Sequence, residues 1–124
     1  MATEVVMPRA GYSTMRRWPR YCINVPVRVV VQRPDKTVIV SGRGTELNEG
    51  GMAIFAGVEL NLGQRVEIEF TPPYTGQPLR VRSIIRNRTA YNYGTEFLRL
   101  NNEDQQQAEQ IRQVLQGMGS PVSD

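Results

Sequence analysis

Two short stretches of this 124-residue chain hold side chains able to do recognition chemistry. The first is Arg16-Arg17-Trp18-Pro19-Arg20, three guanidinium groups ahead of a run of alternating apolar residues. An arginine fork pairs bidentately with phosphate or carboxylate, reads the O6/N7 edge of guanine and stacks on flat rings. The second is Thr45-Glu46-Leu47-Asn48-Glu49-Gly50-Gly51, a carboxylate and an amide two residues apart and then a glycine pair. Residues i and i+2 of a strand share a face, and glycine lets backbone or ligand come close. Each stretch also has a plain reading, the first as a solvated basic lead-in and the second as a turn between strands.

Catalysis has little to work with. There is no histidine, Cys22 is the sole cysteine, and the acidic residues are scattered as in Val66-Glu67-Ile68-Glu69-Phe70. That composition excludes a disulfide framework, the usual zinc sites and any mechanism that needs a histidine base. No nucleophile elbow, P-loop or dinucleotide glycine spacing occurs. The expectation is a binding protein, not an enzyme, with no metal and no cofactor. Net charge is +3, a lean toward anions without the basicity of a protein that coats nucleic acid. Of 15 basic residues only Lys36 is lysine, which composition bias or a use for planar forks both explain. No 18-residue apolar segment is present, and the N-terminus lacks the cationic start and apolar stretch of a signal peptide. The expected setting is reducing and cytoplasmic, with no membrane insertion, and Cys22 is expected to be a small buried hydrophobe.

Positioning the two stretches falls to strands. From Tyr21 the pattern has period two: Ile23, Val25, Val27, Val29 and Val31 on one side, Asn24, Pro26, Arg28 and Val30 on the other. Pro26 cannot donate to a ladder and marks an edge or a bulge. Turn chemistry in Arg33-Pro34-Asp35-Lys36-Thr37 leads to a second strand from Val38, and Met52–Ala56, Arg65–Phe70 and two later segments supply the rest. Short strands with turns between them predict an antiparallel barrel or sandwich. Near the end, Asn102 reads as an N-cap with Glu103 and Asp104 in the first turn and Gln105 in the capping-box position. Ala108, Ile111, Val114, Leu115 and Met118 make one apolar face, and Gly117 or Gly119 stops the helix.

Taken in order, these features resemble the PilZ domain, the bacterial receptor module for cyclic di-GMP. That family carries R-x-x-x-R on an N-terminal loop, matched by Arg16 to Arg20, and D/N-x-S-x-x-G on the barrel, which falls on Glu46 to Gly51. The segments Gly50–Phe55 and Tyr93–Ile111 add the family-typical third strand, closing G-x-x-F and helix. The chain departs from the pattern at Glu46, where the family has Asp or Asn, and at Asn48, where it has Ser. The resemblance implies an all-β fold, a six-stranded antiparallel PilZ-type β-barrel with one C-terminal α-helix. Its single domain would span residues 15–119, with the barrel at about 21–100 and the helix at about 103–117, a flexible arm over 1–14 and a disordered tail over 120–124. It implies cyclic di-GMP as ligand, with Arg16 and Arg20 on guanine and phosphate and Arg17 assisting. Glu46 would accept from a guanine N1–H and exocyclic amine, Asn48 would add a polar contact and Gly51 would leave room. Binding would fold the arm over the nucleotide and present a new surface to a downstream effector protein. The alternative is a divergent protein-interaction module that does not bind the nucleotide. A third reading, single-stranded nucleic acid gripped by Arg80, Arg82, Arg86 and Arg88 with Tyr91 and Tyr93 as stacking platforms, competes with a face of arginines paired to Glu67 and Glu69 and is the less expected.

Overall fold

The computed structural model describes residues 20–72 and 76–118. The expectations for the arm, for Arg16 and Arg17 and for the tail over 120–124 lie outside the described residues. Six strands form: β1 (Tyr21–Gln32), β2 (Thr37–Leu47), β3 (Gly51–Ala56), β4 (Arg65–Phe70), β5 (Leu79–Thr89) and β6 (Asn92–Phe97). They close into an antiparallel barrel in the order β1-β2-β3-β6-β5-β4, so no strand is left with an unpaired edge along its whole length.

Alternation does the sorting. In β4, Val66, Ile68 and Phe70 are buried while Glu67 and Glu69 are half-buried and carry ion pairs. Val29, Leu47, Ile54, Ile68 and Ile85 meet in the interior. Pro26 sits one residue past a register irregularity between Cys22 and Val25, and the β1–β4 ladder begins only at Val27. The proline therefore lies where one side of β1 is unpaired, as its missing N–H requires. Cys22 is exposed, contrary to the expected burial, because it belongs to the outward set with Asn24, while Tyr21 and Ile23 turn toward the core.

Helix α1 (Asn102–Gln116) packs Ala108, Ile111 and Leu115 against the barrel beside β5. Full burial of Ile111 and Leu115 contributes about 1.5–3 kcal/mol each. Its N-cap is Asn101, one residue earlier than the sequence predicts: Asn101 has extended backbone, and its side-chain oxygen accepts from the Asp104 N–H at 2.8 Å. The two asparagines cap equally well, and Asp104 decides between them. Its carboxylate takes two bonds from Arg82 of β5, both at 3.0 Å, and accepts from the Leu100 N–H. Gln105 instead makes the first helical bond, to the Asn101 carbonyl. Burial raises the Asp104 pKa, but the Arg82 bonds, the Leu100 and Asn101 N–H groups and the Arg82 charge outweigh that and hold it below the usual carboxylate range. No helix among the described residues is long and apolar enough to cross a membrane.

Candidate functional site

Three register shifts in the barrel shape one groove. Between Gly44 and Glu46, β2 carries one residue more than β3, and between Ile85 and Asn87, β5 carries one more than β6. The third is the irregularity between Cys22 and Val25 of β1, opposite the same part of β2. A bulge breaks strict alternation and re-aims nearby side chains. Thr45, Glu46 and Asn87 all lie at these shifts, and all three line a groove of about 230 Å³ together with Arg20, Asn48 and Asn92.

Of the residues predicted for a site, Arg20, Glu46 and Asn48 thus come together on one groove. Arg20 and Glu46 form an ion pair at 3.6 Å, with side chains 26% and 37% exposed. At that length and exposure the pair contributes under about 1 kcal/mol, so a better partner for either group can open it.

Asn48 is buried and its amide oxygen is already engaged. It accepts from the N–H groups of Gly50 at 2.7 Å and Gly51 at 2.8 Å, while the Asn48 N–H donates to the Gly51 carbonyl at 3.0 Å. The side chain closes its own turn, and its NH₂ group remains for anything in the groove. Gly51 does not line the groove. A Cβ there would stand 1.9 Å from the Thr95 carbonyl oxygen, so the missing side chain makes room for β6 and not directly for a ligand. Two further bonds strap the turn to the end of β6: Phe97 N–H to the Gly50 carbonyl, and Arg99 to the Glu49 carbonyl at 2.7 Å.

The far wall escaped the sequence reading. Asn87, Thr89 and Asn92, with Thr45 opposite, supply amides and hydroxyls from β2 and the β5–β6 hairpin. Their only signal was a cluster of small polar residues in Asn87-Arg88-Thr89 and Asn92, which resembles ordinary hairpin chemistry; the bulge that aims Asn87 leaves no mark in the hydrophobic pattern. The arginine face is the paired one. Arg80 meets Glu67 and Glu69, Arg82 meets Asp104, Arg86 meets Glu96 and Arg88 meets Glu59. Tyr93 is buried, its hydroxyl accepting from Leu60 N–H and donating to the Val58 carbonyl, so it is no platform for a base.

The described residues thus form a closed barrel with a polar, bulge-built groove and a docked helix. A family model for the PilZ domain matches residues 14–115, and the chain belongs to that family, whose members are generally receptors for cyclic di-GMP. Among solved structures it is similar to the PilZ domain of CeSA from a cellulose-synthesizing bacterium, at 22% identity and TM-score 0.60, over 78% of this chain and 95% of that one. It is likewise similar to the PilZ domain of YcgR from Escherichia coli, described with c-di-GMP, at 14% identity and TM-score 0.62, over 83% and 90%. The Bacillus subtilis inhibitor of motility MotI/DgrA matches at 18% identity and TM-score 0.53, over 82% of this chain and 52% of its own. No curated protein matches the chain in sequence.

Proposed function

We propose that this PilZ domain is a cytoplasmic cyclic di-GMP receptor that signals to a partner protein through its N-terminal segment. The observation that carries the reading is the convergence of Arg20, Glu46 and Asn48 on one groove. Arg20 offers a fork to guanine O6/N7 or to a phosphate oxygen. Glu46, an acceptor-only group, suits the N1–H and amine of a guanine. Loss of their mutual ion pair on binding is a small term, repaid by charge-assisted bonds to the nucleotide. Arg16 and Arg17 complete the arginine motif by sequence and supply the remaining positive charge for two phosphates. Gly51 contributes through the shape of the turn that carries Glu46 and Asn48. Fixing side chains and backbone around the nucleotide opposes binding entropically, at about 1–2 kcal/mol per residue fixed, so several strong bonds must act together.

A second reading, an interaction module without nucleotide, is favoured by the commitment of Asn48 to its turn and of Arg20 to Glu46. Calorimetric titration of cyclic di-GMP separates the two. The receptor reading expects saturable binding that Arg16→Ala and Arg20→Ala each weaken about tenfold or more. Heat-silent titration of the folded wild type, or wild-type affinity in both variants, sinks it.

A further inference from the structure

The groove is short of charge for its proposed ligand. Its described lining holds one cation and one carboxylate, Arg20 and Glu46, and these already face each other. The rest of its polar lining is neutral amide and hydroxyl. At about 230 Å³ it is also smaller than the roughly 300–1,000 Å³ of pockets that hold a drug-sized molecule. A near-neutral, amide-lined recess of that size suits one flat heterocycle better than a phosphate.

Asn87 is the wall residue with a built seat. A Cβ on Gly94 would fall 2.5 Å from Asn87 Nδ2, 2.6 Å from Oδ1 and 2.8 Å from Cγ. The side chain of Asn87 therefore lies flat in the space that the missing side chain of Gly94 leaves. Among the described residues nothing hydrogen-bonds its amide. The bulge between Ile85 and Asn87 points this amide at the groove that Glu46 reaches from the other side.

Resting on the receptor reading above, we infer that this groove is a nucleobase seat and that Asn87, held by Gly94, is a specificity-determining residue for guanine. Glu46 takes the N1–H and exocyclic amine, both donors. The Asn87 NH₂ donates to the acceptor edge of the same base, O6 and N7. Adenine presents an amine in place of O6 and no N1–H, so it meets Glu46 and Asn87 with fewer matched groups. Arg20 is left for a phosphate oxygen, together with the arginines that precede it in the motif.

The test uses the full chain, cyclic di-GMP and cyclic di-AMP, with thermal unfolding in parallel. Asn87→Ala removes the donor and weakens cyclic di-GMP about three- to tenfold. Asn87→Asp turns the donor into a second acceptor and weakens it more than tenfold, while Gly94→Ala evicts the Asn87 side chain and weakens it comparably. The preference for cyclic di-GMP over cyclic di-AMP shrinks in Asn87→Ala. Asn87 is exposed, so Asn87→Ala melts within about 2 °C of wild type, which separates base reading from support of the fold. Wild-type affinity and preference in Asn87→Ala and Gly94→Ala, with the wild type binding normally, overturn this inference alone. A wild type that binds neither nucleotide overturns the receptor reading and this inference with it.

Discussion

Replacing Asn48 with alanine removes one oxygen and strands two donors. Gly50 N–H and Gly51 N–H both bond to that oxygen, at 2.7 and 2.8 Å, and both glycines are buried. An unsatisfied buried amide costs about 1–3 kcal/mol. Asn48 lines the groove, so the space its truncation vacates opens toward solvent; the lower part of that range applies and the two together come to about 2–4 kcal/mol. For a domain of this size 1 kcal/mol corresponds to about 4 °C, so the melting temperature should fall by about 8–16 °C. Asn48→Asp keeps an acceptor in place and strengthens both bonds by charge, but sets a second carboxylate near Glu46. The two effects oppose, and its stability should stay within about 1 kcal/mol of wild type. Asn48→Ser, the residue typical of the family motif, has a shorter reach and should fall between. Urea unfolding followed by circular dichroism ranks the three. If Asn48→Ala loses less than about 0.5 kcal/mol, or Asn48→Asp is the least stable, then the turn is not held by this oxygen and Asn48 exists for a ligand alone.

Three further outcomes follow from the same geometry. The folded-state pKa of Asp104 is depressed, so its contribution is present above the unfolded value of about 3.9 and is lost as pH falls through the lower folded value. Unfolding midpoints between pH 7 and pH 2 should drop more steeply in wild type than in Asp104→Asn. Tyr93→Phe leaves the Leu60 N–H and the Val58 carbonyl without their shared partner and should lose about 1–3 kcal/mol in urea unfolding. Gly51→Ala drives a Cβ into the Thr95 carbonyl, whereas a Cβ on Gly57 meets nothing within 4 Å. The first should lose about 1–3 kcal/mol or fail to fold, while Gly57→Ala should melt close to wild type.

Much of the barrel was legible because period-two alternation is a direct imprint of burial: Val66, Ile68 and Phe70 against Glu67 and Glu69 could be read inward and outward without coordinates. The helix was legible too, except for its first residue. Two adjacent asparagines cap alike, and the choice of Asn101 was made by Asp104 reaching Arg82 across the chain, a contact no local pattern records. Cys22 was misread because its neighbours are apolar, although its parity with Asn24 already put it outside. For the site, motif spacing picked out Arg20, Glu46 and Asn48, which do line one groove. It did not pick out Asn87, Thr89 and Asn92, since a bulge adds one residue to one strand and looks from the sequence like nothing at all. Gly51 was read as leaving room for a ligand, whereas the space its missing side chain leaves is taken by the approach of Thr95.

Entry of cyclic di-GMP into the groove between Glu46 and Asn87 is what both proposals require. An amide-resolved NMR titration of the labelled chain with cyclic di-GMP tests it most directly. Saturable shifts are expected at Arg20, Glu46, Gly50, Gly51, Asn87, Asn92 and Gly94, with little change along Arg80, Arg86 and the outer face of helix α1. No shifts at saturating nucleotide, or shifts confined to those outer surfaces, would contradict it.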